Sequence, residues 1–149
     1  MKAVIQRVLD ATLSVDGNVI SQIGKGLVVY FCVEKGDDQA FCKKFAQKLS
    51  KLRIFSDEQG KMNLSVKDVG GEVLMVSQFT LAADLSCGNR PSFFGAEVPE
   101  KADAMYLQTV ELLQQEGVPT QKGVFGADMK ICQTNDGPVT IIWDSCILK

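Results

Sequence analysis

The sequence has no histidine, so it offers neither an imidazole base nor an imidazole metal ligand. Its five cysteines (Cys32, Cys42, Cys87, Cys132 and Cys146) include no pair at metal-ligand spacing and no Cys-x-x-Cys. No metal and no cofactor is therefore expected. An odd, scattered thiol count suits a reducing cytosol better than a disulfide-stapled secreted scaffold. Neither sign of charge dominates: sixteen Lys and Arg stand against eighteen Asp and Glu, a net charge of −2. That balance excludes the broad basic face needed to wrap a nucleic-acid duplex and restricts any such contact to a chain end or a single-stranded tip. No apolar window approaches the ~20 residues of a membrane-spanning helix. The first stretch, Met1 to Arg7, carries charge where a signal peptide needs an apolar core. The expectation is a cytoplasmic protein with no membrane partner.

What is present suffices for one domain spanning residues 1–149. The length and a 46% share of hydrophobic residues allow a proper core without staples. Lys2 to Val8 alternates and reads as a strand. Thr12–Val15 and Val19–Ile23 flank Asp16-Gly17-Asn18, the chemistry of a tight hairpin turn. Leu27 to Val33 is too continuously apolar for a surface strand and is expected at the centre of a sheet. Asp37 or Asp38 can cap a helix running to about Leu52, with Phe41, Phe45, Leu49 and Leu52 facing the sheet. Arg53–Phe55 and Glu72–Phe79 follow as strands, then a polar loop over 82–98, longer than compact domains tolerate without a use. Pro99 opens a second helix, with Ala102, Met105, Tyr106, Val110 and Leu113 on its buried stripe, and Gly117 ends it. Met129–Thr134 and Val139–Trp143 read as two strands joined at Asn135-Asp136-Gly137-Pro138. The expected fold class is a single α/β domain, an antiparallel barrel-like sheet with two packed helices.

Four segments can carry chemistry. The apolar run Val73–Val76 delivers Ser77, Gln78, Phe79 and Thr80 to a strand end, where a rigid scaffold presents hydroxyls and backbone N–H groups to a ligand. The plain alternative is a strand edge whose polar side chains close a turn. Gly88-Asn89-Arg90-Pro91-Ser92-Phe93 sets a fixed cation, Arg90, beside an aromatic in the long loop, which fits a single-stranded nucleic-acid end. Gly123-Val124-Phe125-Gly126-Ala127-Asp128-Met129 can form an apolar slot for a flat ring between Phe125 and Met129, or a core β-bulge. Gly137-Pro138 is either an ordinary turn or a cis X–Pro bond. In the cis form, two carbonyl groups would point the same way, clasping an amino group and leaving no room on one side of a chiral carbon.

In this order the segments resemble the D-aminoacyl-tRNA deacylase family, in its bacterial and eukaryotic branch. The match runs from Met1-Lys2-Ala3-Val4-Ile5-Gln6-Arg7-Val8 through Asn63-Leu64-Ser65, Ser77-Gln78-Phe79-Thr80-Leu81, Gly88–Phe93 and Phe125–Met129 to Asn135-Asp136-Gly137-Pro138-Val139-Thr140, nearly the whole chain. The resemblance implies a homodimer that hydrolyses the ester joining a D-amino acid, or glycine, to the terminal adenosine of tRNA. It implies active sites at the subunit interface, with Gly137-Pro138 cis and reaching into the partner's pocket to exclude L-amino acids. Ser77, Gln78 and Phe79 would surround the scissile carbonyl, with the Phe79 N–H as an oxyanion donor. Thr80, or alternatively the terminal ribose 2′-hydroxyl, would drive the reaction. Phe125 and Met129 would line the adenine slot, with Arg90 also on the substrate. The partner is thus the aminoacyl-tRNA 3′ end. The segment around Leu85-Ser86-Cys87 looks more variable, which leaves the choice among tRNAs open.

The missing imidazole bears on mechanism. A serine or threonine nucleophile needs a group to take its proton, and neither Ser77 nor Thr80 has one nearby in sequence, though Asp84 or Lys130 could arrive by folding. Substrate assistance by the 2′-hydroxyl is therefore the favoured expectation. The rivals are a nucleotide-binding module without turnover, built on Arg90, Phe93 and Phe125, and an esterase for small molecules.

Overall fold

A computed structural model describes residues 1–146 and shows a mixed, nearly closed sheet flanked by two helices. Strand β1 (Lys2–Val15) is its spine. Along one edge its first half pairs with β3 (Gly26–Cys32) and its second half with β2 (Asn18–Ile23), and β8 (Met129–Asp144) runs antiparallel to its full length. β6 (Glu72–Ser77) lies beside β3, and β7 (Thr120–Lys122) beside β6. Side chains bring the ends of the sheet together: the Gln121 carboxamide exchanges hydrogen bonds with the Gln22 backbone, and the Ser21 hydroxyl donates to the Lys122 carbonyl. A separate small hairpin is formed by β4 (Phe55–Ser56) and β5 (Met62–Leu64).

The sequence suggested an antiparallel sheet, but the sheet is mixed. β3–β6 and β6–β7 are parallel pairs. The reason is connectivity: helix α1 (Ala40–Ser50) lies between β3 and β6 in the chain, and α2 (Pro99–Gln115) between β6 and β7. Crossovers of this kind return the chain in the same direction. They also explain the continuous apolar runs, because β3 and β6 are buried on both faces. Leu27, Val29, Phe31, Val73 and Met75 pack under the helices, where Phe45 of α1 meets Phe31 at 5.3 Å and Trp143 edge-on at 5.1 Å. Val28, Leu74 and Val76 point the other way, into a second core with Val8, Ala11, Leu13 and Ile23.

Local chemistry sets most boundaries. Asp16 and Gly17 both have positive φ, as the tight turn between β1 and β2 requires. Pro99 is the first residue of α2, and Gly117, at φ 83°, lies just past its end. α1 starts later than expected. Asp38 Oδ1 accepts from the Ala40 N–H at 2.9 Å, whereas Asp37 turns away to the Glu34 N–H and the Met1 amino group.

The largest difference from expectation is β8. Met129–Thr134 and Val139–Trp143 are one strand, because both halves pair with β1. Gln6 opposes Thr140 and Val8 opposes Asn135, so Asp136 to Val139 all face the single residue Arg7 and bulge from the ladder. β1 is likewise continuous through Leu9 and Asp10.

Gly26 and Glu72 fix the register of the parallel pair by backbone contact. A Cβ on Gly26 would lie 1.9 Å from the Glu72 carbonyl oxygen, with no side chain able to yield. Gly26→Ala should therefore lower unfolding stability by at least ~1–3 kcal/mol. Gly24→Ala, whose nearest neighbour would be 3.9 Å away, should stay within ~0.5 kcal/mol. Urea unfolding of the two variants checks this, and equal losses would contradict it.

Candidate active site

β6 ends at Ser77, opposite Phe31 of β3. The ladder continues for one bond: the Gln78 N–H donates to the Phe31 carbonyl at 2.8 Å. The chain then tightens into a 3₁₀ turn over Phe79–Ala82. The expected strand to Phe79 therefore stops at Ser77, and Ser77 to Thr80 do not alternate between two sheet faces. Phe79 opens the 3₁₀ turn, and the first N–H groups of a helical turn have no acceptor within it. Its backbone donor is thus of the kind that a ligand oxygen can use.

Beside this turn lies a cavity of about 500 Å³. Ser77, Gln78 and Phe79 form one wall, Phe125, Met129 and Ile131 another, and Tyr106 and Ala102 of α2 also line it. Tyr106 is held by its hydroxyl, which donates to the Met75 carbonyl at 2.8 Å, and its ring lies 6.2 Å from that of Phe125. Residues 123–128 form a turn at Gly126 (φ 74°) rather than a bulge, and the turn brings Phe125 and Met129 to the same cavity. The size and the mix of apolar wall with a few polar groups suit one small organic ligand or the end of a larger one.

The structure distributes the other sequence candidates differently. Thr80 is exposed, its hydroxyl accepts from the Gln78 carboxamide, and it does not line the cavity. Arg90 lies on the exposed long loop, also outside the cavity wall. Phe93 packs edge-on against Phe79 at 5.1 Å and so braces the turn from outside. Gly137 and Pro138, joined by a cis peptide bond, sit on the exposed bulge of β8, away from their own chain's cavity.

Among the described residues, no poised base is hydrogen bonded to Ser77 or Thr80. Asp84 accepts from the Ser86 N–H, and Lys130 pairs with Asp128 at 2.9 Å, so the two bases considered from sequence are engaged elsewhere. The Lys101 ammonium, hydrogen bonded at 2.7 Å to Glu97 on the cavity wall, holds that carboxylate below its usual range. Burial pushes the Tyr106 hydroxyl up, and raises the Cys32 thiol to about 11. Groups held this way neither take a proton from a hydroxyl near neutrality nor attack as a thiolate.

Two residues went unnoticed as site components. Tyr106 appeared only as part of a core stripe. Arg7 had a visible signal, since it continues the inward series Ala3, Ile5, Arg7 along β1, where a charge needs partners. It is 8% exposed. Its Nη1 donates to the Ile54 carbonyl at 2.6 Å, and its Nε to the Asp136 carbonyl at 3.2 Å, with the Asp136 carboxylate 3.1 Å away. The guanidinium thus ties the base of the Gly137-Pro138 bulge to the body of the fold.

Arg7→Met should leave the Ile54 and Asp136 carbonyls without their donor and lower stability by ~1.5–3 kcal/mol in urea unfolding. Arg7→Lys should restore only part, because one ammonium cannot span both acceptors. Iodoacetamide at pH 8 should label exposed Cys87, Cys132 and Cys146 well before buried Cys32. The same shift costs stability in alkali: the Cys32 contribution is intact below pH 9 and lost as pH rises through about 11. Peptide mapping reads the first result and a Cys32→Ala comparison of alkaline unfolding the second.

Comparison with known proteins bears on this arrangement. The family model described as D-Tyr-tRNA(Tyr) deacylase matches residues 4–144. D-aminoacyl-tRNA deacylase of Paracoccus denitrificans (strain Pd 1222) is 54% identical over 145 residues, covering 97% of each chain. D-aminoacyl-tRNA deacylase of Photorhabdus laumondii subsp. laumondii is 55% identical over 140 residues, covering 94% of this chain and 97% of the other. Among solved structures, one titled c-Myc DNA Unwinding Element Binding Protein superposes with a TM-score of 0.90 at 40% identity, covering 97% of this chain and 99% of that one. A second, titled as a probable eukaryotic D-amino acid tRNA deacylase, shares the fold with a TM-score of 0.82 at 15% identity, covering 95% and 97%. The chain belongs to the D-Tyr-tRNA(Tyr) deacylase family and is a hydrolase of the aminoacyl-tRNA ester bond.

Proposed function

We propose that the cavity receives the terminal adenosine of a D-aminoacyl-tRNA, or of a mischarged glycyl-tRNA, and that the Ser77–Phe79 turn holds the scissile ester. One observation carries this reading: the turn's backbone donors and the Phe125–Met129 slot share one cavity. An ester carbonyl and an attached flat base need those two features side by side. Phe125 and Met129 bracket the adenine, and the Phe79 N–H lies toward the carbonyl oxygen. One well-placed donor to a developing oxyanion is worth ~2.7–4 kcal/mol, or roughly 10²–10³ in rate.

The proton transfers fall to the substrate. The 2′-hydroxyl next to the ester activates water or stabilises the departing oxygen without a protein base. Thr80, exposed and bonded to Gln78, is poorly placed for the competing role of nucleophile.

Chiral selection rests on Gly137 and Pro138. A pocket that merely favours a side chain discriminates by only ~1–3 kcal/mol per methylene. A wall of backbone atoms has no rotamer to yield and rejects one hand more strongly. Such a wall admits glycine, which has no side chain to clash. Because the two residues project from the exposed bulge and not into their own cavity, they serve a second copy of the chain. β8, paired among the described strands with β1 alone and carrying Ile142 76% exposed, offers a surface for that copy. The working form is a cytoplasmic homodimer with sites at its interface.

The solved relative named for binding a DNA unwinding element favours a second reading, nucleic-acid binding without turnover. Hydrolysis assays separate the two. D-tyrosyl-tRNA and glycyl-tRNA should be cleaved and L-tyrosyl-tRNA spared. Binding without cleavage would favour the second reading, and brisk cleavage of L-alanyl-tRNA would remove the backbone wall. Thr80→Ala should retain most activity. A tRNA ending in 2′-deoxyadenosine should react roughly 10²-fold more slowly or worse. A folded, substrate-binding but dead Thr80→Ala enzyme would return the nucleophile to Thr80.

A further inference from the structure

Beyond the cavity, the loop that follows the 3₁₀ turn exposes more apolar surface than a solvated arm requires. Phe94 is 82% exposed, and the Lys35 Nζ lies 3.4 Å from its ring centroid. Two short segments hold this pair in place. The Lys35 N–H donates to the Gly95 carbonyl at 2.9 Å, Glu34 bridges to Ala96, and the Glu97 N–H donates to the Val33 carbonyl at 3.0 Å. Val33, Ala96 and Glu97 all line the cavity. The aromatic ring and the cation therefore stand two or three residues from the cavity wall on backbone that is hydrogen bonded to it. They form a platform at the rim.

The electrostatics favour an anionic visitor. Of the neighbouring carboxylates, Glu97 is taken by Lys101 at 2.7 Å, and Glu34 by Lys2 at 2.9 Å. Lys35 spends its charge on the face of a ring instead. With the ammonium over one face and most of the side chain exposed, the other face is open to a flat group. An aromatic ring paired with a cation beside an RNA-end site matches how single strands are held, by stacking a base and meeting its phosphate.

We propose that Phe94 and Lys35 form a second nucleotide subsite, which stacks the base immediately preceding the terminal adenosine and places the lysine beside its phosphate. The proposal rests on the reading that the cavity takes the terminal adenosine. It also assigns a use to the long loop that Arg90, outside the cavity wall, does not supply. Stacking tolerates any base, so the subsite adds affinity without choosing among tRNAs.

The test compares two substrates, D-tyrosyl-tRNA and D-tyrosyl-adenosine, the second lacking the preceding nucleotide. Phe94→Ala should raise KM for the tRNA roughly 5- to 150-fold, the span for removing one base–aromatic stack, with kcat kept. Kinetics on the adenosine ester should not change. Phe94→Trp should restore the tRNA KM, and Lys35→Ala should raise it less while flattening its salt dependence. An unchanged tRNA KM in Phe94→Ala would overturn the subsite. So would equal losses on both substrates, which would make Phe94 a support of the cavity. A loss of dimer in sedimentation with KM preserved would assign the ring to contact between copies instead. A wild-type enzyme that cleaves neither substrate defeats the underlying ester reading, whatever residue 94 is.

Discussion

The approach of two backbones at Gly26 and Glu72 sets the geometry on which the site depends. Parallel strands in register place Ser77 opposite Phe31, and the next amide, from Gln78, uses the last free carbonyl of that ladder. The chain must then leave the sheet at Phe79. A slip of one residue would turn every side chain of β6 to the opposite face. Leu74 and Val76 would trade cores with Val73 and Met75, and the 3₁₀ turn would open in the wrong place. Because both faces of β3 and β6 are buried, two cores resist that slip together. The donors at the turn are thus held by packing on either side of the sheet.

The second constraint acts at the middle of β1, where Arg7 pairs with Leu27, the residue after Gly26. One arginine opposes four residues of β8 and bonds to the carbonyl groups of both Ile54 and Asp136. Burying a guanidinium is costly unless its donors are used, and here neutral carbonyls and a half-exposed carboxylate use them. The bulge is therefore an anchored projection. Gly137, at φ 126°, has little room for a side chain: a Cβ there would lie 3.0 Å from the Val139 nitrogen and 3.2 Å from Arg7 Nη2. The bulge is thus closely packed against its own backbone and against the Arg7 guanidinium that anchors it.

Much of this was legible in the sequence, for identifiable reasons. The β1–β2 hairpin, the central place of Leu27–Cys32 and the limits of α2 followed from turn chemistry and periodicity, which are local. The convergence of Ser77–Phe79 with Phe125 and Met129 came from motifs in order along the chain. What could not be read depends on partners distant in sequence. Whether Met129–Thr134 and Val139–Trp143 form a hairpin or one bulged strand depends on β1, more than a hundred residues away. The parallel pairing of β3 with β6 depends on where α1 carries the chain. Thr80 looked equivalent to Ser77 because both were expected at the end of a strand reaching Phe79, and the 3₁₀ turn separates them. Arg7 was visible as an inward charge, but its acceptors at Ile54 and Asp136 were not.

The absence of histidine and the character of the cavity belong to one argument. An aminoacyl ester is already an activated bond, so holding it against an oriented donor in a largely apolar cavity contributes more than added basicity would. A strong base on the wall would also be indifferent to the hand of the substrate and would act on any ester that entered. With Cys32 and Tyr106 held neutral by burial, Glu97 held by Lys101 and Asp128 paired with Lys130, each titratable group among the described lining residues is either neutral or already engaged by a cation. On the proposed reading, reaction then depends on whether the ester reaches its position, and position is what a rigid backbone wall can deny. Selectivity and the lack of a protein base would then be consequences of the same design.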